Sequence, residues 1–533
     1  MTDEIGRAEA AQAEPKYRSA AQDEPADESM AAEERSARRV SRRRLLAYGA
    51  TATGALAVGG LVGAAVQREI HDAQIPETIM PQVMLDDAST LNPTPVRGVI
   101  FAGSTPTSTR KLLSPLLTRI ADGQDPPVAA SGVRHSMGGQ SLLRDGWVLD
   151  MQPLRAVDLN AADRIMRVGA GATWRDIIPV LNAAGLSPTV MQSNHDFTVG
   201  GSLSVNCHGW HTNSEPVSGT VQSLRLLTAQ GDVVACSPEE NPELFQLVLG
   251  GYGMFGVILE ADIAVVPNVL FTKPAFVSVP TADYAASFAQ RVYGAESPVE
   301  MAYGRLSVAP DSFLDEAIIA TFTPLPDTRG EVLPLPPATI REVSRAVYRN
   351  SVNSSAGKAV RWFLEREAVP WLAAQISRNS VLNEPAAVYA NRTRDTTDIL
   401  HEYFVPQVRV AEFVGHAKEI IRRAEANLLN VTVRDVRQDT RTVLAYAHGD
   451  VFGLVMSFVQ ARTDDGEVRM RGMTRELIDA SIATGGSFYL PYRLHATGEQ
   501  LRRTYPAWNE AMQAKDRYDP KHVFRNGIYD AYR

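Results

Sequence analysis

A chain of 533 residues is too long for one compact core, and its length suggests roughly two to four domains. Apolar residues make up 44% and charged residues 21%, so most of it is expected to fold; 38 Gly and 32 Pro exclude a collagen-like or low-complexity protein. A formal net charge of −8 argues against nucleic acid as the main partner, and two cysteines can form neither a disulfide framework nor a four-cysteine metal site.

Residues 1–40 are rich in Ala, Glu and Arg with no sustained apolar period, which predicts a disordered segment. Residues 41–75 read as an address. Arg42 and Arg43 stand in a Ser-Arg-Arg-x-Leu-Leu context before an uncharged Gly- and Ala-rich run to Val66, and this resembles a twin-arginine signal. The resemblance implies export of a folded protein, often loaded with cofactor, by the twin-arginine machinery to the periplasm or cell envelope. Residues 45–66 are also long enough to stay behind as a membrane anchor.

From Thr94 the pattern is globular. Lys111–Ile120 has helical spacing, and Pro127–Ala130 and Trp147–Met151 read as strands. Between them the polar, glycine-rich loop Ser131–Ser141 offers backbone N–H groups to an anion. It has neither the Gly-Lys-Ser/Thr of a phosphate-binding P-loop nor a dinucleotide Gly-x-Gly-x-x-Gly turn. Ile165–Val168 is a strand, and Thr173 caps a helix through Ala184. A polar loop at Met191–Phe197 precedes Thr198-Val199-Gly200-Gly201. Ser223–Thr228 and Val233–Cys236 form a hairpin, Asn241-Pro242-Glu243 starts a helix, and Phe255–Val265 is a strand.

The His-Ser-x-x-Gly loop at 135–139, Thr198-Val199-Gly200-Gly201, the hairpin ending Cys236-Ser237, Asn241-Pro242-Glu243-Leu244-Phe245 and Leu249–Ile258 occur in register. Together they resemble the FAD-binding domain of the vanillyl-alcohol-oxidase or PCMH flavoprotein family over Thr94–Pro267. The resemblance implies FAD, its diphosphate held by backbone amides of two glycine loops. The residues it assigns to the cofactor are Gly132, Val133, Arg134, His135, Ser136, Gly139, Gln140 and Ser141 in the first loop. Thr198, Gly200, Gly201, Ser202, Ser204 and His208 follow, then Gly253, Gly256, Val257 and Ile258, and Asn526 in the tail. In relatives the histidine equivalent to His135 is either bonded covalently to the flavin or a hydrogen-bonder of the loop, and both roles stand open here. Arg134 replaces the usual glycine before it, a change expected to shift the loop backbone. Cys207, His208 and His211 are metal-ligand types, but four spaced ligands are lacking, so no metal is expected.

The resemblance implies an α+β fold: a two-subdomain PCMH-type FAD-binding domain at 94–267, an antiparallel-sheet substrate or cap domain at 268–480, and a C-terminal segment, 481–533, that returns to the FAD domain. Asp398–Pro406 begins as a strand, and Asn430–Val436 alternates, placing Asn430, Thr432 and Arg434 on one face. Arg434 matches an arginine that faces flavin and substrate in aldonolactone and alditol oxidases, although Thr432 stands where their acid would be. The equal alternative is a surface arginine paired with a neighbouring carboxylate. The tail, with Asp519-Pro520 and Phe524-Arg525-Asn526, resembles the same sugar-oxidase branch. Pro491-Tyr492 occupies the place of the lysine typical of decaprenylphosphoryl ribose oxidases. Cytokinin dehydrogenases are similar over 198–260, but place an Asp base where Ser193 stands; Asp196 is displaced by three positions.

These resemblances imply oxidation of a CH–OH group of a polyol- or sugar-like substrate by hydride transfer to flavin, with oxygen, a quinone or a cytochrome as acceptor. His401, Glu402 and His495 are the candidates for the base, beside Arg434. A CH–NH dehydrogenase is the alternative, which a carboxylate at the flavin face would support. The third reading is a non-catalytic flavin-binding envelope protein.

Overall fold

The computed structural model describes residues 79–336, 348–349, 351–352, 354–386, 391 and 393–533. All of them belong to one unit, Leu46–Arg533. The segments read as disordered (1–40) and as signal or anchor (41–75) lie outside the described residues. No helix among the described residues is long and apolar enough to cross a membrane.

Three sheets position the site. The first comprises β1 (Ile79–Leu85), β2 (Thr94–Phe101), β3 (Val128–Ser131) and β4 (Trp147–Asp150), in the order β1-β2-β4-β3. Strand β4 is parallel to both β2 and β3, an arrangement that needs a crossover. Helix α1 (Pro106–Ala121) supplies it, started by a capping box at Thr105 and Ser108. Strand β1 lies ahead of the globular pattern read from the sequence; it carries Pro81 and no apolar alternation, yet pairs antiparallel with β2 along its whole length.

The second sheet is antiparallel. It contains β5 (Val157–Asn160), β6 (Ile165–Gly169), β7 (Leu186–Pro188), β8 (Val221–Leu227), β9 (Val233–Cys236) and β10 (Val257–Pro267). The long strand β10 is central, flanked by β6 and β8, with β7 paired to its end. Helix α2 (Trp174–Ala183) begins at the expected Thr173, whose side chain and that of Asp176 complete a capping box.

The third sheet holds β11 (Ala275–Pro280), β12 (Met301–Leu306), β13 (Glu316–Phe322), β14 (Thr396–Pro406), β15 (Leu428–Val436), β16 (Val451–Ala461) and β17 (Ser487–Phe488). Its order is β11-β13-β12-β15-β16-β14-β17, antiparallel throughout. All nine residues of β15 are buried. The polar–apolar alternation of this strand therefore separates two covered faces rather than a wet face from a dry one. One hydrophobic core runs continuously through all three sheets.

The tail closes back on the first sheet. Phe524 bridges Val128, and Gly527 packs so closely that a Cβ there would stand 2.6 Å from the Gly139 carbonyl oxygen. Lys515, on helix α6 (Trp508–Tyr518), is fully buried and pairs with Asp519; its Nζ also donates to the carbonyls of Met254 (2.6 Å) and Phe524 (2.8 Å). A buried charge is tolerable only when paired and hydrogen-bonded, and this lysine joins the tail to the segment leading into β10.

Candidate active site

A cleft runs from the glycine loops to one face of the third sheet. The loop after β3 forms its first wall. Arg134 there takes φ 54°, the left-handed conformation for which glycine is the ordinary residue. The amide of Ala88 donates to the Arg134 carbonyl (3.0 Å), and its guanidinium lies 3.8 Å from the buried Asp150 carboxylate. His135 faces the cleft with its ring 4.4 Å from that of Phe197, and its Nδ1 is buried without a hydrogen-bond partner among the described residues. Burial lowers the His135 pKa, which keeps the imidazole neutral.

Thr198 caps helix α3 (Val199–Ser204), accepting from the Gly201 amide at 3.3 Å. The two glycine loops touch. A Cβ at Gly132 would stand 2.2 Å from Thr198 Oγ1, so only glycine lets the walls approach this closely. After helix α4 (Pro242–Val248), the stretch from Tyr252 to Ile258, at the start of β10, forms the third wall.

The remaining wall is the third sheet, with Leu400 and Glu402 of β14, Arg434 of β15, and the segment Tyr489–Tyr492. Arg434 is 3% exposed; it donates to Ser193 Oγ (2.7 Å) and to the His208 carbonyl (3.4 Å), while its Nε has no partner among the described residues. His208 Nε2 lies 2.8 Å from Glu402 Oε1, and the Tyr492 hydroxyl donates to Glu402 Oε2 at 3.2 Å. Burial alone would push the Glu402 carboxyl up, but His208, Arg434 and the Tyr492 hydroxyl outweigh it and hold the group below the ordinary carboxylate range. Burial lowers the His208 pKa, and the Glu402 carboxylate beside it opposes that shift.

The cleft gathers most of the expected residues. Gly132 to Ser136, Gln140, Ser141, Thr198, Gly200, Gly201, Ser202, Ser204 and His208 line it, as do Gly253, Gly256, Val257, Ile258, Arg434 and Glu402. Four expected residues stand elsewhere. His401 alternates with Glu402 along β14 and so points to the opposite face, where its Nε2 lies 3.3 Å from Thr474 Oγ1 of helix α5 (Asp464–Ala483). His495 joins that cluster, 3.0 Å from Thr474 Oγ1 and 2.9 Å from Glu467 Oε1. Asn526 caps the final helix, α7 (Gly527–Tyr532), and donates to the Tyr252 carbonyl at 2.6 Å. Gly139 turns the loop behind the cleft with its amide on the buried Asp87 carboxylate (2.7 Å). Asp196 is also outside; it pairs with Arg175 and accepts from the Ala386 amide. The surface reading of Arg434 is corrected by its burial and its neutral partners. The sequence gives Tyr492 no role of its own, and only the approach of its segment to β14 makes it a partner of Glu402.

The cleft suits a flavin dinucleotide on structural grounds: glycine walls that admit close backbone approach, and buried polar atoms of His135, Ser141 and Arg434 left without partners among the described residues. Residues 106–237 match the family model described as FAD binding domain. The chain binds FAD. It is similar to "Cytokinin dehydrogenase 10" of Oryza sativa subsp. japonica, 27% identical over 77% of this chain and 81% of the relative. Likeness to "Cytokinin dehydrogenase 1" of the same organism is 28% over 80% and 86%. "Cytokinin dehydrogenase 1" of Arabidopsis thaliana is 36% identical, over 30% of this chain and 28% of that protein. These matches support the vanillyl-alcohol-oxidase/PCMH flavoprotein family and an FAD-dependent oxidoreductase, which implies a small-molecule donor and an electron acceptor. The sugar-oxidase likeness rests on the short motifs alone.

Covalent attachment is tested directly. If the neutral His135, whose Nδ1 has no partner among the described residues, bonds to the flavin, acid precipitation should bring the yellow colour down with the wild-type protein, and His135→Ala should release it to the supernatant. Flavin free in the wild-type supernatant would leave His135 a residue of the loop.

Proposed function

We propose that this chain is an FAD-dependent dehydrogenase of CH–NH donors, with Glu402 as the group that takes the donor's nitrogen-bound proton. The observation that carries this reading is a buried carboxylate lining the cleft and held below its ordinary range, together with the likeness, over 77% and 80% of this chain, to proteins named cytokinin dehydrogenases. The polyol reading inferred from the sequence motifs gives way to the amine alternative on these grounds.

Bound FAD supplies the acceptor of the hydride from the donor's carbon. The chain's own residues do the rest. Glu402 accepts the N–H proton as the C–H bond breaks, leaving a C=N bond in the product, which water can hydrolyse. Tyr492 holds one carboxylate oxygen and His208 stands against the other, so the base keeps one orientation. Arg434 places a fixed positive charge in the cleft for the negative charge that develops on reduction. Ser193, where cytokinin dehydrogenases place an acid, presents a hydroxyl to Arg434, so the carboxylate enters from the third sheet instead.

Anaerobic mixing with secondary amines bearing an α C–H, and in parallel with polyols, tests the assignment through the flavin band near roughly 450 nm. Bleaching by amines is expected. Bleaching by polyols alone would return the chain to CH–OH chemistry, and bleaching by neither donor class, with photoreduction intact, would favour a flavin carrier.

We also propose export through the twin-arginine route, supported by Arg42-Arg43 before the uncharged run to Val66. The two cysteines, Cys207 and Cys236, are both free and buried, in keeping with a chain that folds before it leaves a reducing compartment. Replacing Arg42 and Arg43 by Lys should retain the protein in the cytoplasm; unchanged export in fractionated cells would refute the route.

A further inference from the structure

The segment Tyr489–His495 reaches the cleft outside any strand or helix. It contributes Tyr489, Pro491 and Tyr492 to the wall, so its seating decides where Tyr492 meets Glu402. On the cleft side it is fastened by the FAD loop. Gln140 Nε2 donates to the carbonyls of Leu490 (2.7 Å) and Tyr492 (2.5 Å), and the Met137 amide donates to the Pro491 carbonyl at 2.9 Å. The Tyr489 amide donates to the Glu402 carbonyl at 3.0 Å.

A second fastening lies on the far side, on helix α5, and uses His495, one of the two histidines that the cleft excludes. Glu467 Oε1 receives Arg493 Nη2 (2.8 Å) and stands 2.9 Å from His495 Nε2. Arg493 Nη1 turns the other way and donates to Asn92 Oδ1 (2.8 Å) and the Met137 carbonyl (3.0 Å). Asn92 Nδ2 in turn donates to Asp87 Oδ2, the same oxygen that accepts from the Gly139 amide. One carboxylate on α5 is thereby linked through a single guanidinium to the loop that carries His135. The Arg493 side chain is 8% exposed, and removing its carboxylate would leave a nearly buried cation without its closest counter-charge.

We propose that Glu467 is a positioning residue for the active site: through Arg493 and His495 it seats the Tyr489–Tyr492 segment against the FAD loop and fixes Tyr492 on Glu402. The part concerning Tyr492 rests on the role proposed for Glu402; the seating itself does not. A neutral glutamine at 467 keeps the shape but loses charge-assisted bonds, which are about twice as strong as neutral ones. A planar fork that grips two elements at once is also beyond the reach of lysine at 493.

Amide hydrogen exchange on the full-length FAD-loaded protein reads the seating without turnover. Glu467→Gln should raise exchange at the Tyr489 and Met137 amides by about tenfold, the scale of one lost charge-assisted bond, and leave β8 (Val221–Leu227) unchanged. Arg493→Gln should do the same, and Arg493→Lys should recover part of the protection. If Glu467→Gln also loses protection in β8, the Arg493 pair carries the test. Unchanged exchange at Tyr489 and Met137 in Arg493→Gln would overturn the seating. With a working donor, Glu467→Gln and Tyr492→Phe should each slow flavin reduction, and the double variant should be no slower than the slower single one. Fully multiplicative effects would overturn the link to Tyr492. Failure of every donor would count against the role of Glu402 alone, because the exchange result does not depend on it.

Discussion

Glu402→Gln should slow flavin reduction by roughly 10²- to 10⁴-fold, the range by which a positioned general base contributes. The substitution preserves shape and leaves an oxygen for the Tyr492 hydroxyl while removing the charge that accepts a proton. Its surroundings explain why the wild-type group is ready to act. Buried among His208, Arg434 and Tyr492, the carboxyl is held ionised below its ordinary range, so it needs no prior deprotonation at neutral pH. Stopped-flow reduction checks the rate, and the visible spectrum of the variant before mixing checks that FAD is still bound. Reduction at the wild-type rate would move the base elsewhere.

Arg434→Ala should slow the same step by on the order of a hundredfold, as expected when one preorganised charge-stabilising donor is removed. The guanidinium is 3% exposed, and its hydrogen-bond partners, Ser193 Oγ and the His208 carbonyl, carry no charge. Its positive charge is therefore available to the cleft. Arg434→Lys should restore part of the rate, because an ammonium supplies the charge but not the fork that also holds Ser193 and His208. A redox titration separates this role from simple packing. The alanine variant should have a lower flavin potential than wild type, whereas an unchanged potential with a slow rate would make Arg434 a donor-binding residue.

The cofactor side of the cleft was legible because its residues are dictated locally. Gly132 must be glycine for the two loops to touch, and Thr198 must cap the short helix that follows. Such constraints leave marks at fixed spacing. The strand bearing Arg434 was legible as well, through alternation over Asn430–Val436. The base was not. Periodicity places His401 and Glu402 on opposite faces of β14, but only the packing of α5 on one face and the cleft on the other tells which of the two lines the cleft. His495 was misplaced for the same reason: it belongs to a tertiary cluster with Thr474 and Glu467. Asn526 carries a recognisable tail motif, yet its side chain is spent on capping a helix and holding the Tyr252 carbonyl. Strand β1 escaped notice because a proline-containing edge strand on a sheet needs no alternation of its own.

The limiting rate of flavin reduction as a function of pH tests the central claim, that Glu402 takes the donor's proton. A base acts in its ionised form, and the Glu402 pKa lies below the ordinary 4.5. The rate should therefore hold level as pH falls from 7 to about 5, and be lost only below the ordinary carboxylate range as the group becomes protonated. In Glu402→Gln this acid limb should disappear. A wild-type rate that falls through about pH 6.5, the ordinary histidine value, with the same limb retained in Glu402→Gln, would contradict the assignment and give the proton to an imidazole.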